Sequence, residues 1–363
     1  MRIVTLSYMN TLEFSDPLAW LKRISFHTGV LEELAKSHTI NSIEQINYSG
    51  RLVRNNVTYH FINYKKTKLY FPFHLHQYIK NLAPDIVWIH GFIFPFQLLQ
   101  LRLHLGDHVK IIVQNHAEKP SLGWRKFLQQ QADRFVDNYF FTSKEMASEW
   151  VEKKIISDEK KIVEVMEASS IFNCAKKNPA HSKQYPVFLW VGRLDANKDP
   201  LTVVKSFLQF INHQPQAKLY MIYHTGELLE EIKKVILDAP SNIELVGRVD
   251  HPQLQSWYDV ADFIISGSHY EGSGIAVCEA MSCGCIPIVT NIPSFRKMTS
   301  NGKCGLLYEP GNQQELLASL LQTKNMNLNL EKEKTIRQFN KELSFEAIAL
   351  KMNETINALT TNA

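Results

Sequence analysis

The stretch "DFIISGSHYEGSGIAVCEAMSCGCIPIVT" (262–290) decides the fold of the chain. It begins with a short apolar run, passes through a glycine-rich turn, continues as an apolar helix from Ile275, and returns to the β-rich run "IPIVT". A strand, a helix and a second strand in this order predict two parallel strands joined by a crossover helix.

The same alternation runs through the rest of the chain, which predicts parallel sheets covered by helices on both faces. In the first half the strands are predicted at "RIVTLSY" (2–8), "TINSIEQI" (39–46), "VTYHFINY" (57–64), "DIVWIHG" (85–91), "KIIVQNH" (110–116), "NYFFTS" (138–143) and "KIVEVM" (161–166), with helices at 29–37, 74–82 and 124–135. In the second half they are predicted at "VFLWVGRL" (187–194), "AKLYMIY" (217–223), "NIELVGR" (242–248), "DFIISGS" (262–268), "IPIVTN" (286–291) and "GLLYEP" (305–310).

The polar segment "AKKNPAHSKQYP" (175–186) separates the two halves and is the predicted linker. We therefore expect two doubly wound α/β domains, residues 1–178 and 185–344, that face a cleft. Ligands of such sheets bind at the carboxyl ends of the strands, so the loops there are the predicted functional site.

Composition excludes several protein classes. The 363 residues are 45% hydrophobic and 21% charged, which excludes disordered and fibrous proteins. The most apolar window, "VWIHGFIFPFQLL" (87–99), is interrupted by His90, Gly91 and Pro95 and is too short to span a bilayer. The opening "MRIVTLSYMN" is expected to be a buried strand rather than a signal peptide. With five cysteines, these features favour a cytoplasmic protein with reduced thiols.

Charge is unevenly distributed along the chain. Residues 1–180 hold 23 Lys and Arg against 17 Asp and Glu, and the segment 51–70 holds five cations and no acid. This segment could face the inner membrane surface or a phosphorylated substrate, and a solvated hairpin edge is an equally simple interpretation. No cationic block is dense enough to indicate a nucleic-acid partner.

The opening stretch also predicts chemistry. Gly272 and Gly274 allow a ligand to approach the main chain, and the helix N-terminus at Ile275 favours an anion. Glu279 is an acid on an otherwise apolar helix, so it needs a partner, and a carboxylate can accept two hydrogen bonds from the vicinal hydroxyls of a ribose. Glu271 lies at the mouth of the turn, where it can contact a sugar. An exposed helix acid or a cap is the alternative interpretation of Glu279.

A second motif, "FLWVGRLDANKDP" (188–200), places Arg193 and Lys198 after a strand and before a helix that starts near Asp199. Two cations beside a helix N-terminus suit a diphosphate. Alone this pattern is weak, because exposed cations are usually solvated.

The two motifs together resemble the retaining glycosyltransferases of family four, which have the GT-B fold. The resemblance rests on the E-x7-E spacing of Glu271 and Glu279, on "AMSCGCIPIV" (280–289), and on "VGRL" (191–194) with Lys198 upstream. It implies that the last helix, about 345–360, crosses back onto the first domain. It also implies a diphosphate site formed by Arg193 and Lys198 and a ribose site formed by Glu279. The implied contacts to the donor sugar come from Glu271, Ser273, Gly274 and Ile275, and those to the nucleobase from Gly247 and Arg248.

The first domain is less informative. Histidines end two predicted strands, at His90 and at "NH" (115–116), where they would face the cleft. His116 matches the position where the family often places a histidine beside the donor sugar. The family's Gly-Gly turn is reduced here to Gly29. The predicted acceptor-side residues are His27, Thr28, Gly29, His90, Asn115 and Glu118, and Ser143 is predicted to cap the next helix.

The resemblance implies transfer of a sugar to an acceptor hydroxyl with retention, in polysaccharide, lipid-linked or cell-surface glycan synthesis. Arg193 and Lys198 would stabilise the leaving diphosphate, and His116 and Glu271 would orient the sugar. The expected donor is a UDP-sugar, with GDP- and ADP-sugars as alternatives, and neither a bound cofactor nor a metal is expected. The acceptor could be a sugar, a lipid-linked saccharide or a small molecule. A GT-B nucleotide-sugar epimerase and a non-catalytic nucleotide-sugar-binding subunit are the alternative functions.

Overall fold

The structure is a computed structural model that describes residues 1–64, 66–173, 185–237 and 242–361. The chain divides into two compact units, the first formed by Met1–Ser169 with Phe345–Ala363 and the second by Ser170–Ser344. Residues 170–173, which the sequence places in the first domain, therefore belong to the second unit. Residues 174–184, which include most of the predicted linker, lie outside the described residues.

The first unit contains an eight-stranded sheet in the order β3-β4-β2-β1-β5-β6-β7-β8. All pairs are parallel except β3 with β4, which form an antiparallel hairpin at the sheet edge. The strands are β1 (Arg2–Ser7), β2 (Thr39–Glu44), β3 (Gly50–Arg54), β4 (Val57–Phe61), β5 (Ile86–His90), β6 (Lys110–Gln114), β7 (Asn138–Phe141) and β8 (Ile162–Glu164). The seven predicted strands are present, and β3 is an additional one.

Helices cover both faces of this sheet. They are α1 (Pro17–Arg23), α2 (Ser25–Leu34), α3 (Phe73–Asn81), α4 (Pro95–His104), α5 (Gly123–Asp133) and α6 (Lys144–Glu152), with α14 (Phe345–Thr361) from the end of the chain. Apolar residues of α3, α4 and α6, such as Ile79, Leu101 and Trp150, share one core with the strands. The side chain of Ser143 caps α6 by accepting the Glu145 N–H at 3.3 Å, as predicted.

The C-terminal helix α14 packs on α2 within the first unit. Its buried residues Ile348, Met352 and Ile356 recur every four positions, so they form one apolar stripe. The ring of Phe345 occupies the space beside Gly29 of α2, where a Cβ would lie 2.5 Å from the ring. The predicted crossing of the last helix to the first domain is thus observed.

The second unit contains a six-stranded parallel sheet in the order β11-β10-β9-β12-β13-β14. All six predicted strands are present, as β9 (Val187–Gly192), β10 (Lys218–Tyr223), β11 (Ile243–Gly247), β12 (Phe263–Ser266), β13 (Ile286–Thr290) and β14 (Leu306–Tyr308). Its helices are α7 (Pro200–Phe210), α8 (Leu229–Val235), α9 (Leu254–Val260), α10 (Ile275–Ser282), α11 (Pro293–Met298), α12 (Gln313–Gln322) and α13 (Leu328–Gln338). The predicted fold class of two doubly wound α/β domains is confirmed.

The apolar window at 87–99 is divided between the end of β5 and the start of α4. None of the helices in the described part of the chain is long and apolar enough to cross a membrane.

Candidate functional site

The glycine-rich turn of the second unit joins β12 to α10. Gly274 has φ +54°, and a Cβ there would lie 2.5 Å from Cε1 of Phe295, so this position favours glycine on both counts. Among the described residues no side chain caps α10. The N–H groups at the start of this helix are therefore available to an anionic ligand.

Glu279 lies in the middle of α10 and is buried, with 4% exposure. It accepts one hydrogen bond from Nε2 of His251 at 2.6 Å and one from the hydroxyl of Tyr258 at 3.0 Å. Burial raises the pKa of Tyr258 well above its ordinary value, and the charge and hydrogen bond of Glu279 raise it further, so Tyr258 remains a donor. A carboxylate has about four lone-pair positions, so two remain for the hydroxyls of a ligand.

Lys198 and Glu271 form an ion pair across the carboxyl ends of the neighbouring strands β9 and β12. Ser268 donates a hydrogen bond of 2.6 Å to the same carboxylate oxygen of Glu271. The two side chains are 23% and 13% exposed, so the pair is only partly screened by water. The structure therefore brings together two residues that the sequence placed in different motifs.

Arg193 is held by Asp195, with 2.9 Å between its Nε and Oδ2 of the carboxylate. The other carboxylate oxygen of Asp195 accepts the main-chain N–H of Lys198 at 2.9 Å. Asp199 has φ +40° and caps α7, the helix predicted to start there, by accepting the N–H of Thr202. Asp195 and Asp199 thus fix the loop that carries both predicted phosphate-binding cations.

Gly247 is the last residue of β11, and Arg248 follows it. Gly247 has φ +83°, and in the described part of the chain no heavy atom beyond its two chain neighbours and the glycine itself lies within 4 Å of the position that a Cβ would take. The side chain of Arg248 is exposed. The main chain at this strand end is thus open, which suits the contact to a nucleobase that the resemblance implies.

In the first unit a chain of hydrogen bonds links the carboxyl ends of four strands. Thr5 Oγ1 lies 2.8 Å from Nε2 of His90, Nδ1 of His90 lies 2.9 Å from Nε2 of His116, and Nδ1 of His116 lies 2.5 Å from a carboxylate oxygen of Glu167. Burial lowers the pKa of His116, but the hydrogen bond and charge of Glu167, with the charge of Glu118, more than offset this and raise it.

The neighbouring histidines are held neutral. Burial, then the charges of His27 and His116, bring the pKa of His90 well below its ordinary value. Burial, then the charge of His116, lower the pKa of His27 to about 3. When His116 is protonated it donates from both nitrogens, so His90 accepts at Nδ1 and donates from Nε2 to Thr5. Deprotonation of His116 at Nε2 reverses the direction of these two hydrogen bonds.

The other predicted acceptor-side residues have partners of their own. Thr28 accepts a hydrogen bond from Arg54 at 2.9 Å. Asn115 donates to the carbonyl of Glu118 at 3.2 Å, and the carboxylate of Glu118 accepts the N–H of His116 at 2.7 Å. Thr28 and Gly29 lie within α2, where Gly29 accommodates Phe345. Asn115 and Glu118 shape the loop that carries His116.

Six polar residues at these sites were not predicted from sequence: Thr5, Asp195, Ser268, His251, Tyr258 and Glu167. His251 follows β11 by four residues and Glu167 follows β8 by three, so both lie just beyond a strand end. Their position just beyond a strand end is the sequence feature that could have identified His251 and Glu167 as site residues. Tyr258 lies within α9 and carries no comparable signal.

Cys278, Cys285 and Cys304 are free and buried thiols. Within the described ranges no group of three His, Cys, Asp or Glu side chains is arranged to hold a metal ion.

Comparison with known proteins gives a family for the second unit. Residues 173–342 match the family described as Glycosyl transferases group 1. A poly(glycerol-phosphate) alpha-glucosyltransferase of Bacillus subtilis (strain 168) is 35% identical over 139 residues, 37% of this chain and 20% of that protein. A GDP-mannose:cellobiosyl-diphosphopolyprenol alpha-mannosyltransferase of Xanthomonas oryzae is 30% identical over 122 residues, 33% of this chain and 32% of that protein. The matches thus span a third or less of these relatives.

Solved structures match both units. A glycosyltransferase from Rickettsia africae has a TM-score of 0.76 at 17% identity, over 100% of this chain and 99% of that chain. An Anabaena protein solved with UDP and glucose has a TM-score of 0.68 at 12% identity, over 99% and 100%. At these identities the likeness shows the fold, which is that of the GT-B glycosyltransferases. The comparisons support the glycosyl transferases group 1 family for the second unit.

Proposed function

We propose that this chain is a retaining glycosyltransferase that moves a sugar from a nucleotide-diphosphate sugar to an acceptor hydroxyl. The observation that carries the proposal is the buried Glu279, whose carboxylate accepts one hydrogen bond from His251 and one from Tyr258. A carboxylate can accept about two more. It lies on the helix whose uncapped N-terminus follows Glu271. This arrangement suits a nucleoside diphosphate, whose ribose meets the carboxylate and whose phosphates meet the helix start.

Charge at the strand ends supports the phosphate assignment. Lys198 is paired with Glu271, and Arg193 with Asp195, so a carboxylate compensates the charge of each cation. A diphosphate would take over both cations and release Glu271 to hydrogen-bond the donor sugar. As the bond between sugar and phosphate breaks, the developing negative charge on the diphosphate is stabilised by Arg193, Lys198 and the N–H groups of Gly274 and Ile275.

Retention and the identity of the donor rest on the family resemblance. The acceptor proton would pass to a phosphate oxygen of the leaving diphosphate, with no covalent sugar–enzyme intermediate and no metal. His116, by the same resemblance, orients the donor sugar, and His27, His90, Asn115 and Glu118 serve the acceptor side. UDP-sugars are the first candidates. Polysaccharide, lipid-linked and cell-surface glycans are the proposed products, and a lipid-linked acceptor would require the first unit to reach the inner face of a membrane.

The first test is thermal stabilisation by UDP, GDP, ADP and NAD, measured on the wild type, on Glu279→Ala and on Glu231→Ala. Glu231 is an exposed acid on α8 and serves as the matched control. A ligand at a hundred times its Kd adds about 2.7 kcal/mol to the free energy of unfolding. We expect one diphosphate to stabilise the wild type and the control, and Glu279→Ala to lose that stabilisation. Equal stabilisation of all three proteins would refute the ribose assignment.

A second measurement separates transfer from the two alternatives. The nucleotide-sugar selected by the first test is incubated with candidate acceptors, and the products are identified by NMR. An α-linked product from an α-linked donor supports retaining transfer. A sugar epimerised without transfer would identify an epimerase, and binding without any product across the acceptor panel would favour a binding subunit.

A further inference from the structure

The first unit exposes a set of large apolar side chains on one layer of helices. They follow the carboxyl ends of the strands, at or just before the first turns of α3, α4 and α5. We name this surface the aromatic face, and it comprises Tyr70, Phe71, Phe73, Phe96, Trp124 and Phe127. Trp124 is 69% exposed and Phe71 59%, so water covers most of these rings. A group of exposed aromatic residues of this size marks an interaction surface.

The aromatic face is held in place by specific contacts. The rings of Phe71 and Phe96 meet edge to face with centroids 5.5 Å apart. The side-chain amide of Gln100 on α4 donates to the carbonyl of Tyr70 at 2.9 Å, and α4 packs against both α3 and α5. The segment before α3 is therefore fastened to α4, and the exposed rings are presented by a fixed backbone.

The charge of this surface has one sign. The segments 66–81, 93–104 and 119–132, which carry the aromatic face, contain seven Lys and Arg and no Asp or Glu. Lys68, Lys80 and Arg125 are exposed, and the Arg125 guanidinium lies 5.5 Å from the centre of the Trp124 ring. By contrast, Arg54 of the basic segment 51–70 is paired with Glu32 at 2.8 Å. Lys68, Lys80 and Arg125 thus give the aromatic face exposed cations beside its apolar rings.

We propose that the aromatic face docks on an anionic lipid surface. Aromatic side chains favour the boundary between lipid head groups and hydrocarbon, and nearby cations are attracted to anionic head groups. A second copy of the chain is a poorer occupant, because self-association would place cations opposite cations with no acid between them.

The position of the aromatic face connects lipid docking with the proposed acceptor side of the first unit. Helix α4 begins five residues after His90 and α5 begins seven residues after His116, so the aromatic face lies beside the strand ends that carry these two histidines. This step rests on the proposed function: a saccharide with a lipid anchor would present its hydroxyl at the same edge. The docking itself requires no catalysis and is measured separately.

The test is co-sedimentation of the full chain with phosphatidylcholine vesicles, with and without phosphatidylglycerol. The wild type is expected to bind only the anionic vesicles, and less strongly at high salt. The double variant Trp124→Ser, Phe127→Ser should bind on the order of tenfold more weakly or worse. Leu350→Ser is the control, because Leu350 on α14 is equally exposed, at 63%, and lies outside the aromatic face. It should bind as the wild type does.

A second variant, Arg125→Gln with Lys126→Gln, removes charge and keeps the rings, so it tests the proposal even if the serine variant folds poorly. We expect it to lose binding by about tenfold or more and to lose most of the salt dependence. No binding to anionic vesicles, equal binding by all variants, or a concentration-dependent dimer that the serine variant abolishes would each overturn the proposal. Nucleotide stabilisation is unaffected in every case, so failure here is distinct from failure of the proposed function.

Discussion

Replacing Glu167 by Gln tests whether this carboxylate keeps His116 protonated. The change retains an oxygen that can accept the Nδ1–H of His116 and removes only the negative charge. In the wild type the two side chains are 2.5 Å apart, with 10% of Glu167 and 35% of His116 exposed. Without that charge, burial is the dominant influence on His116, so its pKa should fall below that of the wild type.

The size of the effect follows from the geometry. A hydrogen bond with a charged partner contributes about 1.5–3 kcal/mol, against about 1 kcal/mol for a neutral one. Because His116 is partly exposed, water screens the difference, and we expect about 1 kcal/mol. A pKa raised on folding gives stability that is fully present below the unfolded value of about 6.5 and is lost as pH rises through the folded value. The loss in Glu167→Gln should therefore be largest near pH 6 and small near pH 9.

Two measurements check this prediction. Titration of the histidine Cε1–H signals by NMR, with His116→Gln to assign the resonance, gives the direction of the pKa change. Urea unfolding near pH 6 and pH 9 gives the stability difference. Glu164→Gln is the control, because Glu164 is a nearby carboxylate at the end of β8 and accepts the main-chain N–H of Lys144 at 3.0 Å. An unchanged His116 titration in Glu167→Gln, or an equal change in the control, would refute the reasoning.

Three further predictions concern packing and the second-unit site. Gly274→Ala should lower the free energy of unfolding by about 2–3 kcal/mol, and Gly247→Ala by about 1 kcal/mol. Both glycines have positive φ, but only at Gly274 would a Cβ lie within 3 Å of another side chain. Equal losses in urea unfolding would contradict this prediction. Gly29→Ala should destabilise the first unit by about 1–3 kcal/mol, and Phe345→Ala should largely relieve that clash in the double variant, as a double-mutant cycle would show. Tyr258→Phe should leave the fold intact and change nucleotide affinity severalfold, because the buried carboxylate loses one of its two donors; calorimetric titration showing unchanged affinity would exclude this role.

Most strands could be predicted because they are short apolar runs bounded by polar residues, which a strand buried on both faces requires. The exception is β3, whose residues 50–54 are partly or fully exposed and form only an edge hairpin. Helix α2 begins at Ser25 rather than Gly29, and the glycine within it leaves room for the ring of Phe345. That contact joins residues more than 300 positions apart, and no local pattern contains it.

Some residues of the candidate site could also be predicted from the sequence, but their partners could not. Glu279 could be identified as an acid on an apolar helix that needed a partner, whereas the partners come from the segment after β11 and from α9. Lys198 and Glu271 were placed at strand ends, but their direct pairing depends on β9 and β12 being neighbours in the sheet. Sheet order follows from the whole topology, and so the pairing could not be obtained from either motif.

The return of α14 to the first unit has a consequence for biosynthesis. Residues 170–344 form a unit inserted between two parts of the other, and the part that completes the first unit leaves the ribosome only after the whole second unit. Until then α2 lacks the apolar stripe of Ile348, Met352 and Ile356 that packs with it. The second unit can finish folding while the first is still incomplete, so the order of maturation along this chain is the reverse of the order in which its two sheets are begun.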